Sequence, residues 1–283
     1  MLAFKNKDEG LQYLLKGIDQ INRETGSNYS VHWQKLNAAD YGVPQMRERV
    51  FLIGSRDGTP ITFPKSTHGE IRDLLCEGEH LQPYKTAWDA IGDLPQENLD
   101  SSLKVGGKWG DLLPSIPEGE NYLWHTNRGG GQPLFGWRTR YWSFLLKLAK
   151  SRPSWTIQAQ PGSAVGPLHW KNRKLTAHEM CRIQTFPDGL VFDSGRTDVQ
   201  KMVGNAVPSL LAEVLAKEIR KQLLGHTRIR QALKLLPPVR KNMPASEKVK
   251  PLAKQYHVYI GEHEDHPGEG KGRSAKERIK QLA

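Results

Sequence analysis

The sequence predicts an α/β protein: the closing edge of a sheet with its helices, interrupted by an irregular insert. Three observations carry that expectation. Residues 8–25 place Leu11, Leu14, Leu15, Ile18 and Ile21 at helical spacing. Two strand-like runs follow. In the first, Tyr29, Val31 and Trp33 alternate with polar residues; the second, Arg49-Val50-Phe51-Leu52-Ile53-Gly54, is apolar enough for a buried strand. Helical signals then return after residue 171. One helix and two strands are too few to make a sheet, so they read as the end of a larger one.

A turn-rich stretch, 37–44, joins the two strands. Residues 57–170 change character: Pro and Gly are frequent, and seven of the eight tryptophans lie here, so this stretch reads as a separate, irregular region. Within it, Asn127-Arg128-Gly129-Gly130-Gly131-Gln132 predicts a mobile loop. Trp137-Arg138-Thr139-Arg140-Tyr141-Trp142 interleaves aromatic and basic residues. A nucleic-acid surface and a core strand edged by solvated arginines both fit that pattern. Thr176 and Glu179 have capping-box spacing, which predicts a helix from Ala177 that stops before Phe186-Pro187-Asp188-Gly189. A second helix is expected over 208–224, with Pro208 at its first position and Leu210, Leu211, Val214, Leu215 and Leu223 on one face. Residues 237–283 are polar and basic, and predict a disordered tail with a short helix near 275–282.

Composition bounds the function. Hydrophobic residues are 37% and charged residues 25% of the chain, an ordinary globular balance. No apolar run is long enough to cross a bilayer and the start is not that of a secretory signal, so a cytoplasmic protein without a membrane partner is expected. The formal net charge of +11 fits either a solvated basic surface or a polyanion partner. The two cysteines, Cys76 and Cys181, form neither a disulfide framework nor a zinc pattern, and no metal is expected.

Three segments carry more. The first is Asn37-Ala38-Ala39-Asp40-Tyr41-Gly42-Val43-Pro44-Gln45-Met46-Arg47-Glu48-Arg49-Val50-Phe51. The second is Arg173-Lys174-Leu175-Thr176 with Glu179, Arg182, Gln184, Phe186, Pro187 and Asp188. The third is Val203-Gly204-Asn205-Ala206-Val207-Pro208, approached by Gln200 and Lys201. In this order, with a variable stretch between the first two, they resemble the cytosine-5 DNA methyltransferases over roughly residues 10–224. The resemblance implies the C-terminal portion of a Rossmann-like S-adenosylmethionine-dependent methyltransferase sheet plus a small irregular target-recognition domain. It divides the chain into 1–56, the last strands of the catalytic domain; 57–170, the target-recognition region; 171–236, a hinge helix and a cofactor-side helix; and 237–283, the tail. The implied reaction moves a methyl group from S-adenosylmethionine to C5 of a flipped cytosine in duplex DNA, in a restriction-modification or related system.

Physical chemistry fits roles to these blocks. An extruded base needs donors for its carbonyl oxygen and for flanking phosphates, and arginine supplies permanently charged, directed N–H groups. By resemblance, Arg49 contacts the base, Arg47 supports the pocket or a phosphate, and Gln45 shapes the turn. Two arginines two apart on one strand would share a face. Asn205, Ala206 and Val207 border the cofactor by resemblance. A segment just before a helix also offers unpaired amides to the cofactor's carboxylate. Trp137, Arg138, Arg140 and Arg173 are candidate DNA contacts. Arg173, Glu179 and Arg182 organise the hinge by resemblance, and Ser163, Gly166, His169 and Trp170 lie on the DNA-facing edge. His169 fits a phosphate contact or a satisfied structural histidine.

The family's chemistry starts from a cysteine that follows a proline, assisted by a glutamate in a Glu-Asn-Val string. Both precede the Gln-x-Arg-x-Arg block. This sequence contains neither string, and Cys76 follows Leu75. The expectation is therefore that the chain alone does not methylate DNA and that a partner polypeptide carries the N-terminal catalytic half. The alternative is a non-catalytic DNA-binding fragment or relic.

Overall fold

The computed structural model describes residues 9–70, 81–96, 100–138, 141–225 and 242–264. Helix α1 (Glu9–Thr25) leads into strand β1 (Ser30–Asn37), which pairs antiparallel with β3 (Glu48–Ser55). Between them the chain makes a 3-10 turn at Ala38–Tyr41 and a two-residue strand, β2 (Gln45–Met46). Asn37 makes this turn possible: its side-chain oxygen accepts from Ala39 N at 3.4 Å and Arg47 N at 3.0 Å. Strand β2 leaves the hairpin and pairs in parallel with β6 (Ser154–Trp155), so Gln45 lies opposite Ser154. A third pair joins β4 (His68–Gly69) to β5 (Gln82–Pro83).

Strand β3 is half-buried rather than the buried strand its apolar run predicts, because one face of the hairpin is open. Trp33 and Leu52, cross-strand partners on that face, are 46% and 39% exposed. Helix α1 buries Leu11 but exposes Tyr13, Leu14 and Ile21.

The remaining helices are short. Helix α2 (Ala87–Ile91) is capped by Thr86 and Asp89. Helix α3 (Ala177–Ile183) has the expected box: Thr176 accepts from Glu179 N, and the Glu179 carboxylate accepts from Thr176 N. Helix α5 (Ser209–Gln222) buries Leu211 and Leu215 against Leu36, Ala38, Tyr41 and Val43; Pro208 caps it instead of opening its first turn. Helix α4 (Arg196–Asn205) has no counterpart in the sequence reading. Its packing is close: a Cβ on Gly204 would stand 2.5 Å from the backbone of Ala159, so only glycine lets the helix approach the chain there.

Two aromatic-rich cores lie away from the hairpin. One gathers Ala87, Ala90, Ile91, Leu148, Ile157 and Trp170 with Met180, Ile183, Val199 and Val203, and so runs across residue 170. The other gathers Leu112, Leu113, Ile116, Tyr122, Leu134, Leu145 and Leu168 with Tyr256. Tyr256 corrects the expected tail. Residues 242–264 return to the region around residues 108–118, where Tyr256 stacks on Trp109 at 5.4 Å and donates to Lys108 O at 3.0 Å. Glu247 meets Lys150 and Lys171, each at 3.2 Å. A few well-placed apolar and acidic groups outweigh the basic composition that predicts disorder. The helix expected near 275–282 lies outside the described residues. The loop at 127–132 packs its glycines closely: Cβ atoms on Gly129 and Gly130 would stand 2.2 Å from Trp124 O and 2.3 Å from its ring. The glycines serve close packing.

Candidate functional site

The first and third sequence blocks meet through one side chain. Arg47 is buried, and its Nη2 donates to Gly204 O at 2.9 Å and Ala206 O at 3.0 Å. These carbonyls belong to the end of α4, where a helix has unpaired acceptors and the negative end of its dipole. Each charge-assisted bond of this kind contributes about 1.5–3 kcal/mol. Burial, with the like charge of Arg49 added, lowers the Arg47 guanidinium to about 10, so it remains charged near neutrality.

Arg47 and Arg49 do not share a face. The strand breaks at Arg47, where the chain passes from the β2–β6 pair to the hairpin. Arg49 is exposed on β3, opposite Leu36, and its Nη1 donates to Glu48 O at 2.7 Å. Gln45 is fully buried, and neither of its amide atoms has a hydrogen-bond partner; the same holds for Nε and Nη1 of Arg47. These groups leave a wall with unspent hydrogen-bonding capacity.

The loop at 204–208 is held from both sides. Gln184 Nε2 donates to Val203 O at 2.6 Å, Ser209 N to Gln184 O at 3.1 Å, and Leu210 N to Thr185 Oγ1 at 2.9 Å. Sequence reasoning missed Asn37, Gln184 and Thr185 as clamps; the only signal was that Asn37 and Gln184 sit inside the recognised blocks. The same bonds correct the expected anion site. The amides of Ser209 and Leu210, which open α5, are spent on Gln184 and Thr185 just past α3, and Asn205 is the last residue of α4, separated from α5 by Ala206, Val207 and Pro208. What Asn205, Ala206 and Val207 present is an edge: Asn205 and Val207 exposed, Ala206 with its carbonyl tied to Arg47.

Arg173, one of the candidate DNA contacts, points inward. It forms a buried two-pronged pair with Glu179, Nη1 to Oε2 at 2.8 Å and Nη2 to Oε1 at 2.6 Å. Its fork is therefore committed to the junction. His169 is fully buried beside that pair, its Nε2 at 3.5 Å from Glu179 Oε1. Burial, then the nearby charges of Arg173, Lys150 and Lys171, hold it neutral, so it is a structural histidine out of reach of phosphate. Arg182 bonds Asp188 and Ala90 O in the same junction. Cys181 is buried and pushed up to about 11, which makes it a poor thiolate.

Arg138 is exposed, and Trp137 is half-buried with the Arg128 guanidinium 4.1 Å over its ring. Neither lies in a strand; the 137–142 stretch forms no core strand among its described residues. Arg140 and Cys76 lie outside the described residues. Among the described residues no cluster could hold a metal ion, and no helix is long and apolar enough to cross a membrane.

Comparison with known proteins identifies a family. The model of the C-5 cytosine-specific DNA methylase family matches residues 3–221. The chain is 40% identical over 234 residues to the type II methyltransferase M.SacI of Streptomyces achromogenes, covering 78% of this chain and 58% of that protein. It is 34% identical over 223 residues to M.NgoFVII of Neisseria gonorrhoeae, covering 77% and 55%. The structure of the S. pombe Dnmt2 methyltransferase overlaps 74% of this chain and 62% of that one, at 15% identity and a TM-score of 0.46. The chain thus spans little more than half the length of the curated relatives it matches. With the family model covering most of its length, the chain belongs to the C-5 cytosine-specific DNA methylase family.

Proposed function

We propose that this chain supplies the arginine wall, the cofactor-side loop and the target-recognition region of a DNA (cytosine-5-)-methyltransferase that serves a restriction-modification system. The observation that carries the reading is the Arg47 clamp. It ties the base-facing block at 45–49 to the loop at 204–206. One side chain thereby fixes the distance between a wall for the base and an edge for the cofactor.

In this reading Arg49, exposed at the end of the hairpin, donates to the carbonyl oxygen of a flipped cytosine. Arg47 and Gln45 are positioning residues, buried behind it. S-adenosylmethionine supplies the electrophilic methyl group when bound. The residues present fit one border of that cofactor: the exposed Asn205 amide can hydrogen-bond, and Val207 offers an apolar surface. The remainder of its site, like the attacking thiolate, comes from polypeptide with the Pro-Cys and Glu-Asn-Val strings. Two features support such a partner segment, in the same longer chain or a second one. The open face of the hairpin presents Trp33 and Leu52, and the wall keeps unpartnered buried donors at Gln45 and Arg47. Exposed apolar surface of this kind marks an interface.

The test is complementation. This chain and a polypeptide carrying the missing strings are assayed, separately and mixed, for transfer of labelled methyl from S-adenosylmethionine to duplex DNA. The expected result is transfer only from the mixture, with loss of at least tenfold on Arg49→Ala. Absence of transfer from a soluble, associated pair would leave DNA binding without catalysis as the better reading.

A further inference from the structure

The aromatic-basic run at 137–142 takes no part in the proposed catalytic wall, yet it borders a recess of its own. A cavity of about 440 Å³ is lined by Trp109, Phe135, Phe144, Tyr141, Arg138 and His263, among others. Its back wall is a cluster of ring contacts: Trp109 meets Phe135 at 4.7 Å, and Phe135 meets Phe144 at 6.3 Å. Its mouth is different. Tyr141 is 62% exposed, with its backbone in the left-handed region at φ +65°, and Arg138 is exposed beside it. The returning segment adds His263, whose Nε2 lies 2.9 Å from Tyr259 O. An apolar, ring-lined recess with a few polar groups at its rim is the form of a small planar-ligand site.

A second recess of about 420 Å³ lies next to it. It is lined by Lys174, Arg196 and Lys201, three cations against the one carboxylate of Asp198, with Ser163 and Gln200; Arg196 Nε is tied to Leu175 O at 2.6 Å, leaving its other nitrogens to the recess. The two recesses share Val165, whose backbone bridges Phe144. Cations on one side of a thin partition and rings on the other match the two halves of a nucleotide, phosphate and base. We infer that these paired recesses bind one unstacked nucleotide of a DNA strand, the base in the aromatic recess and its phosphate in the cationic one, at a site separate from the Arg49 wall. Stacking is indifferent to base identity, so the site holds a strand or accepts a displaced base without reading sequence. This rests on the reading of the chain as one that meets DNA, but it needs no methyl transfer.

The experiment uses the full chain and two short labelled single strands that differ only at one interior position, 2-aminopurine in one and an abasic site in the other. Binding is followed by anisotropy and by 2-aminopurine emission. The base-bearing strand is expected to bind about five- to tenfold tighter, with altered emission. Tyr141→Ala and Arg138→Ala, both at exposed positions that leave the core intact, are expected to erase that preference. Lys174→Ala with Lys201→Ala is expected to weaken both strands alike. Equal affinity for the two strands, or a preference that survives both mouth substitutions, would overturn the proposal. Methyl transfer by the complemented pair separates the two readings. A pair that methylates without base-dependent strand binding removes only this site. A pair that binds strands in this way without methylating removes only the catalytic reading.

Discussion

Residues 100–170 and the amino-terminal hairpin treat their apolar surface in opposite ways. Residues 100–170 close their own core with stacked rings and recruit 242–264 to cover it, with Tyr256 on Trp109 and Glu247 on Lys150 and Lys171. The hairpin of β1 and β3 buries one edge against α5 and leaves Trp33 and Leu52 open. The first region covers its apolar groups with other parts of the described chain, whereas the hairpin leaves part of its apolar face open.

The largest effect is expected where the two regions join. Glu179→Ala leaves Arg173 buried without its partner and removes half of the α3 capping box; a loss of about 3–5 kcal/mol is expected in denaturant unfolding of the chain. A loss below about 1 kcal/mol would show that the junction does not couple the regions. Next comes the returning segment. Tyr256→Ala should cost about 3 kcal/mol, as for other large buried aromatic truncations, although a basic tail would predict no effect.

The third effect depends on pH. Lys147 is buried, its Nζ donates to Ile116 O, and burial lowers it to about 8 from 10.5 against the opposing pull of Glu118 and Glu247. The folded value lies below the unfolded one, so the unfolded chain binds more protons between them and stability climbs as pH rises from about 8 to 10.5. Below that window the penalty is complete. Lys147→Met should abolish a rise of about 3 kcal/mol, read as the difference between parent and variant denaturant midpoints across that range. Parallel pH profiles would contradict it. The smallest effect sharpens the contrast from the other side. Trp33→Ser with Leu52→Ser should cost the isolated chain only about 1–2 kcal/mol, because each side chain is little more than half buried there. The same pair should weaken association with the complementing polypeptide at least tenfold by calorimetry.

Legibility in the sequence followed the range of the interactions. Helix α1, the two strands of the hairpin though not their pairing, the α3 capping box and α5 were readable because their signals are local: periodicity, alternation, and Thr176 three residues before Glu179. Helix α4 was not, since Arg196–Asn205 carries little apolar periodicity and its Gly204 is chosen by contact with Ala159. The three blocks were legible as a set, but the burial of Arg47 was not. Only the strand switch between β6 and β1 separates it from Arg49, and two-residue pairings leave no mark in sequence. Arg173 looked available for DNA because nothing in the string Arg173-Lys174-Leu175-Thr176 shows that its fork closes on Glu179.

The central claim is that 45–49 and 204–207 form one wall, with Arg49 facing the target base. A structure of this chain assembled with the complementing polypeptide on duplex DNA measures it directly. The account predicts an Arg49 guanidinium nitrogen within about 3 Å of the carbonyl oxygen of an everted cytosine, with the Arg47 bonds to Gly204 and Ala206 intact. An Arg49 left in solvent beside a base stacked in the helix would contradict it.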